Sequence, residues 1–272
     1  MKLGLFTSGY QFSRLEDIFR DAKRFGYDYI ELWGGRPHAF APDLRAGDCE
    51  GIKHLIDKYE MPVLGYTPEH NSYPYNYMIG STRMRQEAID YLCLSLDVAK
   101  ELGADFMLMS AGHAGYNATH DEIWDRLTLS LQEITAHAES IGMKVVLETL
   151  TPYETNVIKS ANDLLEVFRR VPNPMLYGMC DIVAPFVQNE SILDYLDKLG
   201  EKMYHMHIVD SDSNSATHVL PGDGNIPMKE LLDELKERGY EGTATIELVT
   251  AYINEPTLYA KRAINRVREM LG

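Results

Sequence analysis

The chain has 272 residues, of which 45% are hydrophobic, and its formal net charge is -15. A chain of this length and composition can bury one large core, and we expect a single domain over residues 1–272. Because so acidic a surface repels phosphate backbones and anionic lipids, neither nucleic acid nor a membrane is expected as a partner. The sequence has no signal-peptide pattern, no long apolar run and only three cysteines, without paired spacing. These features predict a cytoplasmic protein without disulfide bonds.

Short apolar runs alternate with longer amphipathic runs along the whole chain. The apolar runs predict eight strands, at residues 2–7, 27–33, 62–66, 104–110, 144–150, 176–181, 203–209 and 243–249. The amphipathic runs predict one helix after each strand, at residues 15–25, 51–59, 83–102, 121–141, 161–170, 191–199, 228–238 and 257–271. Eight strand–helix units in a chain of this length favour a closed (β/α)₈ TIM barrel over an open parallel sheet. The first strand-to-helix turn reads SGYQFS, which is not a glycine-rich dinucleotide-binding turn.

Each of the last four predicted strands carries a polar residue near its C-terminal end, where TIM barrels place their chemistry. These residues are Glu148, Asp181, His207 and Glu247. A carboxylate inside an apolar strand is costly to bury unless it is paired or binds a metal. Three carboxylates and one imidazole suit a single divalent ion, and we expect Mn²⁺, Co²⁺, Ni²⁺ or Mg²⁺. A buried hydrogen-bonded network without a metal is the alternative.

Two neighbours of the predicted ligands on strand seven have open roles. His205 lies two residues before His207 and shares its face of the strand, so it either orients a ligand or fills the core. Asp210 ends the same segment and is expected to accept hydrogen bonds from loop amides or to support a ligand. The methionines of these strands, such as Met107 and Met206, are expected to fill the core.

Three motifs carry a resemblance to a known family: LETLTPYE (147–154), HMHIVD (205–210) and PGDGNIP (221–227). The first motif contains the glutamate pair Glu148 and Glu154. With them the chain resembles the xylose-isomerase-like barrels and, within these, the ketose 3-epimerases. The segments WGGRPHAFAPDL (33–44) and YEGTATIELVTAYINEP (240–256) are more specific and resemble the fructoselysine 3-epimerase branch. The resemblance covers the whole chain.

The resemblance implies a divalent-metal-dependent epimerase that inverts carbon 3 of a ketose-type substrate through an enediolate, with fructoselysine and psicoselysine as the expected pair. A metal stabilises the charge of the enediolate, and inversion requires one acid–base group on each face of the carbon. The resemblance assigns this second role to Glu148 and Glu247. It also implies a small sugar or sugar-amine substrate and a homo-oligomer.

Substrate contacts are expected from residues at strand ends and in the loops that follow them. The predicted substrate-binding residues are Glu154, His218, Tyr66, His113 and Trp33. Further candidates at the same end of the barrel are Arg36, His38, Glu69, His70 and Tyr73.

Two positions depart from the epimerases of free ketoses. Ala184 stands where those enzymes have a substrate-binding histidine, and His218 stands where they have an arginine. We expect the smaller Ala184 to leave room for a substituent on carbon 1. Three alternatives stay open: an epimerase of free allulose, tagatose or ribulose, a metal-dependent hydrolase of the same superfamily, and a sugar-binding module without turnover. The net charge of -15 and the scarcity of histidine ligands oppose the hydrolase.

Overall fold

Eight parallel strands close into a barrel, as the sequence predicts. The computed structural model of the chain describes residues 1–71 and 74–272, and in these ranges all side chains except those of Asp48 and Thr250. Each strand pairs with its neighbours in chain order, and the first strand closes the barrel against the last, with Leu5 opposite Ile246. The strands are β1 (Lys2–Phe6), β2 (Tyr29–Gly34), β3 (Val63–Pro68), β4 (Phe106–Ser110), β5 (Lys144–Glu148), β6 (Leu176–Asp181), β7 (Met203–His207) and β8 (Thr243–Ile246).

One main helix follows each strand and packs on the outside of the barrel. These helices are α1 (Leu15–Phe25), α2 (Cys49–Tyr59), α3 (Thr82–Glu101), α4 (His120–Ile141), α5 (Ala161–Arg170), α6 (Asp194–Leu199), α7 (Met228–Glu237) and α8 (Pro256–Leu271). Helices α1 and α4 end at Gly26 and Gly142, whose φ angles of 82° and 67° lie in the left-handed region that glycine tolerates. In the described part of the chain, no helix combines the length and the hydropathy needed to span a membrane.

The main differences from the predicted elements lie at the mouth of the barrel. Strands β7 and β8 end at His207 and Ile246, before the predicted ends at residues 209 and 249. The apolar residues beyond them, Ile208, Val209 and Leu248, are buried in loop packing and not in the strand ladder. Hydrophobicity alone does not distinguish these two kinds of burial, so the predicted strands are too long.

Several short elements were not predicted. After β7 the chain forms a two-stranded antiparallel ribbon of Asp210–Ser211 with His218–Val219, and a short helix, Val183–Val187, follows β6. The helix predicted at residues 191–199 begins only at Asp194. These segments are too short to produce a periodic pattern in the sequence.

Alternation along the strands decides which side chains reach the mouth of the barrel. Phe106, Leu108, Val146 and Met179 form a cluster inside the barrel. Glu148 lies two residues beyond Val146, and Asp181 two residues beyond Met179, so both carboxylates continue the inner face towards the C-terminal ends of the strands. The predicted core methionines Met107 and Met206 are fully buried in the larger core cluster.

Asp210 fixes the loop after the ribbon, as the sequence analysis predicts. Its carboxylate accepts hydrogen bonds from the amides of Ser211, Gly222, Gly224 and Ile226, at 2.8, 2.9, 3.0 and 2.9 Å. A Cβ atom on Gly224 would lie 2.3 Å from Oδ1 of Asp210, so this close approach requires glycine. The motif PGDGNIP is therefore a backbone cradle for one buried carboxylate, and it supports the ribbon that carries His218.

Candidate metal centre and active site

Glu148, Asp181, His207 and Glu247 converge at the C-terminal end of the barrel. One potential ligand atom of each residue lies within 4.8 Å of those of the other three. Nδ1 of His207 is 3.1 Å from Oε1 of Glu148 and 2.8 Å from Oε2 of Glu247. Glu148, Asp181 and His207 are buried, and Glu247 is half-buried. These are the four residues predicted as metal ligands, and their role stays a prediction.

The donor set fits a single divalent cation. Nδ1 of His207 is buried, and among the described residues no group meets it in hydrogen-bond geometry, although oxygens of Glu148 and Glu247 lie 3.1 and 2.8 Å away. Buried polar atoms are almost always hydrogen-bonded, so an unpartnered nitrogen among carboxylates needs an explanation. A cation at this point would accept the lone pair of Nδ1 and would offset the surrounding negative charge. Carboxylate oxygens with one imidazole nitrogen are also the donors that Mn²⁺ and related ions accept.

The charges of the centre shift the pKa values of its members. Burial raises the pKa of Glu148 to about 7. Burial opposes the ionised form of Asp181 as well, but the neighbouring His218 keeps the pKa of Asp181 below its usual value. Burial would likewise lower the pKa of His207, yet the charges of Glu31 and Glu247 raise it well above the usual value. In the absence of a cation, protons on the imidazoles therefore offset the carboxylates.

His218 lies against the predicted ligands and lines the cavity above them. Its Nε2 donates to Oδ2 of Asp181 at 2.8 Å and is 3.7 Å from Oε2 of Glu247. Although burial acts in the opposite direction, Asp181 and Glu247 raise the pKa of His218 to about 10. The backbone amide of Val183 donates to Oδ1 of Asp181 at 2.9 Å, so both oxygens of this carboxylate are held. His218 was predicted as a substrate-binding residue, and the structure adds a contact with a predicted ligand.

Glu31 was missed by the sequence analysis. It lies in the middle of β2, is 0% exposed, and accepts hydrogen bonds from Nε2 of His205 and of His207. The signal was present in the sequence, because Glu31 interrupts an apolar strand in the segment YIELW as Glu148 does in KVVLE. Burial opposes its charge, yet His207 and His205 hold the pKa of Glu31 well below its usual value.

A cavity of about 370 Å³ opens above the centre. Its lining includes the catalytic candidates Glu148 and Glu247 and the predicted substrate-binding residues Trp33, Glu154 and His218. Nε1 of Trp33 donates to Oε2 of Glu69 at 2.6 Å at the rim. Further lining residues that the sequence analysis considered are Asp181, Glu69 and His70.

Two predicted substrate-binding residues are not among the described residues that line this cavity. Tyr66 is fully buried, and its hydroxyl donates to the carbonyl of Ala39 at 2.7 Å. Its neighbour Gly65 faces the barrel interior, where an added Cβ would meet Phe106 and Glu31, so alternation turns Tyr66 towards the helices. Tyr66 therefore points away from the cavity in this structure, and its role in substrate binding stays a prediction.

His113 makes contacts within its own loop, and its role in substrate binding also stays a prediction. Its Nδ1 accepts a hydrogen bond from the amide of Gly115 at 2.9 Å, and its ring packs against Tyr116. The side chain thus stabilises its own loop. Ala184 is likewise fully buried and is not among the described lining residues, so the space expected from it does not enlarge the cavity. Ala216 is among the residues that line the cavity.

The remaining loop candidates have structural contacts. Arg36 pairs with Asp43 on the surface at 2.6 Å, and Nε2 of His38 contacts the carbonyl of Ser13 at 2.7 Å. Tyr73 lies outside the described residues. Ser8, which the sequence analysis did not single out, lines the cavity and is 9% exposed, and its hydroxyl has no hydrogen-bond partner among residues 1–71 and 74–272. A hydroxyl in that state is available to a ligand.

Comparisons with known proteins agree with this architecture. A family model described as a xylose isomerase-like TIM barrel matches residues 19–270. Fructoselysine 3-epimerase from Shigella flexneri is 54% identical over 271 residues, which are 100% of this chain and 98% of that protein. The solved structure of 3-keto-D-glucoside 4-epimerase from E. coli has a TM-score of 0.83 over 99% of both chains, at 18% identity. That of D-psicose 3-epimerase from Clostridium cellulolyticum H10 has a TM-score of 0.78 over 100% of this chain and 99% of that chain, at 19% identity.

Proposed function

We infer the function from one premise: the chain belongs to the xylose isomerase-like TIM-barrel family and, within it, to the fructoselysine 3-epimerases. It is an epimerase, and thus an isomerase. We propose that it interconverts fructoselysine and psicoselysine by inverting carbon 3, with one divalent ion, Mn²⁺, Co²⁺, Ni²⁺ or Mg²⁺, held by Glu148, Asp181, His207 and Glu247. A homo-oligomeric state, a cytoplasmic location and the lack of nucleic-acid and membrane partners stay predictions.

The observation that carries this proposal is the position of Nδ1 of His207. It is a buried nitrogen without a well-aligned hydrogen-bond partner among the described residues, and it lies 3.1 Å from Glu148 and 2.8 Å from Glu247. The same atom would bind the proposed cation, and it lies between two carboxylates. A metal-binding role alone would need no such pair at the floor of an open cavity, whereas an inversion needs two acid–base groups.

Glu148 and Glu247 would divide the proton transfer between them. Strands β6 and β7 separate β5 from β8 in the barrel. In this proposal the two carboxylates would approach carbon 3 from different sides. One carboxylate removes the proton from carbon 3, and the electron pair of that C–H bond forms the C2–C3 double bond of an enediolate. The other, which is protonated, returns a proton to the opposite face, and the double bond closes back to the carbonyl. A divalent cation would supply the positive charge that stabilises the enediolate oxygens.

The environment of Glu148 suits this exchange of protons. In the metal-free protein burial raises the pKa of Glu148 to about 7, so the buried position favours the protonated form that a general acid must adopt. After one turnover the glutamate that acted as base is protonated and the one that acted as acid is ionised. This is the starting state for the reverse reaction. Exchange with water through the cavity restores either state.

The charge of the cavity favours a substrate with an amine on carbon 1 over a free ketose. Five carboxylates line it, and neither a lysine nor an arginine is among the described lining residues. The five are Glu69, Glu148, Glu154, Asp181 and Glu247. One divalent cation leaves part of this negative charge uncompensated, and a protonated amine reduces it further, whereas fructose brings no charge.

Proton exchange in D₂O tests the proposal. The metal-free protein and the protein loaded with Mn²⁺ are incubated separately with fructoselysine and with fructose, the cation is removed with a chelator, and carbon 3 is followed by NMR. We expect epimerisation and deuterium incorporation with fructoselysine only in the loaded protein. Faster turnover of fructose would show that the substrate is a free ketose and not fructoselysine. Binding of fructoselysine without exchange at carbon 3 would instead indicate a sugar-binding protein.

A further inference from the structure

A second polar cluster lies in the barrel directly below the predicted metal ligands. The carboxylate of Glu31 is fully buried and contacts two imidazoles: Oε2 is 3.0 Å from Nε2 of His205, and Oε1 is 3.2 Å from Nε2 of His207. The hydroxyl of Thr67 donates to Oε1 at 2.7 Å. In the described part of the chain, Glu31 has no ion pair with a lysine or arginine. An ionised carboxylate at this depth is retained only if these three donors are present.

The contacts of Glu31 determine which nitrogen of His207 carries a proton. An ionised carboxylate only accepts hydrogen bonds, so Nε2 of His207 must be the donor. In a neutral imidazole the proton on Nε2 leaves a lone pair on Nδ1, and Nδ1 is the atom that faces Glu148 and Glu247. The neighbouring His205 is oriented in the same way, with Nε2 on Glu31 and Nδ1 2.8 Å from the hydroxyl of Thr243.

We propose that Glu31 is a positioning residue: it holds the ring of His207 and selects the tautomer whose Nδ1 binds the cation. The inference rests on the proposed metal site, but it concerns a residue on the opposite side of the imidazole. Carboxylates that receive the free N–H of a metal-binding histidine orient the ring and raise its basicity. The role explains why β2 contributes a buried glutamate that does not line the cavity.

One other arrangement uses the same residues. Potential ligand atoms of Glu31, His205 and His207 also lie within 4.8 Å of one another, so they resemble a second metal site. Their separations of 3.0 to 3.3 Å are hydrogen-bond distances, and each imidazole directs the same nitrogen at the carboxylate. A proton on each Nε2 therefore accounts for the cluster, and the number of ions bound per chain separates the two arrangements.

The test compares three proteins: wild type, Glu31→Gln and, as a matched control, Asp21→Asn. Asp21 is also a fully buried carboxylate that accepts hydrogen bonds from side chains, here of Tyr10, Thr257 and Arg20. It is paired with an arginine, unlike Glu31, and it is not among the groups gathered around the predicted ligands. Titration calorimetry with Mn²⁺ gives affinity and stoichiometry. NMR of ¹⁵N-histidine protein loaded with diamagnetic Zn²⁺ identifies the nitrogen of His207 that carries hydrogen, and circular dichroism reports folding.

We expect the wild type to bind one ion per chain, with hydrogen on Nε2 of His207. The amide of Glu31→Gln presents an N–H₂ group to one imidazole, and we expect Mn²⁺ affinity to fall about 10- to 100-fold, with a mixture of tautomers. Asp21→Asn should keep wild-type affinity. Unchanged Mn²⁺ affinity and an unchanged tautomer in Glu31→Gln would overturn the positioning role. Hydrogen on Nδ1 of His207 in the loaded wild type would also overturn it, and this measurement requires no variant. Two ions per wild-type chain, one of them lost in Glu31→Gln, would make Glu31 a ligand. A wild type that binds no ion contradicts the proposed function itself.

Discussion

Replacing one glutamate of the proposed acid–base pair at a time should leave proton exchange with only one of the two epimers. In Glu148→Gln and Glu247→Gln the shape of the side chain is kept and one acid–base group is lost. The remaining glutamate still reaches one face of carbon 3. We therefore expect one variant to exchange the carbon 3 proton of fructoselysine only, and the other variant to exchange that of psicoselysine only. Neither variant should interconvert the two.

The size of the effect follows from the role of each carboxylate. A positioned general acid or base contributes typically about 10²- to 10⁴-fold to a rate. Epimerisation should therefore fall by this factor, which corresponds to about 3–5 kcal/mol in the activation free energy. Since both glutamates are also predicted ligands, 2.8 and 3.1 Å from Nδ1 of His207, the variants should also bind the cation more weakly. Rates must be compared at saturating cation.

Each variant is incubated in D₂O with each epimer separately, and loss of the carbon 3 proton is followed by NMR after chelation. Glu69→Gln is the matched control, because Glu69 lines the same cavity but is not among the groups gathered around His207. The control should keep exchange with both epimers at saturating substrate, even if the lost charge raises KM. If both variants lose exchange with the same epimer, or if either retains full epimerisation at saturating cation, the assignment of one carboxylate to each face is refuted.

Three further predictions concern the cation, the imidazole of His218 and the hydroxyl of Ser8. Chelation should abolish activity, and a cation at 100 times its dissociation constant should raise the free energy of unfolding by about 2.7 kcal/mol; an unchanged melting temperature would contradict specific binding. Folding raises the pKa of His218 from 6.5 to about 10, so the stability it contributes is full below pH 6.5 and is lost as pH rises through about 10. Thermal unfolding of the metal-free protein should show this loss, and a His218→Gln variant with the same pH dependence would speak against it. Ser8→Ala should raise KM and leave kcat nearly unchanged, because the unpartnered hydroxyl lines the cavity; equal KM values in steady-state assays would remove Ser8 from substrate binding.

The barrel was predictable because hydrophobic periodicity reports burial on each element. The helix at residues 161–170 and the strand at residues 176–181 were predicted with their observed bounds. The ends of β7 and β8 were not, because Ile208 and Leu248 are as buried in loops as they would be in strands. Elements of two to five residues, such as the ribbon that carries His218, have no period that a sequence can display.

The residues of the candidate site differ in how far a sequence can place them. Glu148 and Glu31 both interrupt an apolar strand, so a search of all eight strands would have found both. Position at a strand end did not suffice for Tyr66, because the direction of its side chain depends on which neighbour faces inward, and here Gly65 does. His113 satisfies a hydrogen bond of its own loop, which depends on loop geometry that no periodicity describes.

The cation and protons compete for the same atoms at the mouth of the barrel. Without the cation, Glu31 and Glu247 raise the pKa of His207, and the protonated imidazole offsets the surrounding carboxylates. The proposed cation would require the lone pair of Nδ1, so it would bind only when His207 has lost its additional proton. The remaining proton would stay on Nε2 and donate a hydrogen bond to Glu31, and the charge of Glu148 and Glu247 would be offset by the cation in place of the imidazolium. The carboxylates that are costly to bury in the metal-free protein would therefore be the groups that make cation binding favourable, and occupancy of the site would link the stability of the barrel to the chemistry at its mouth.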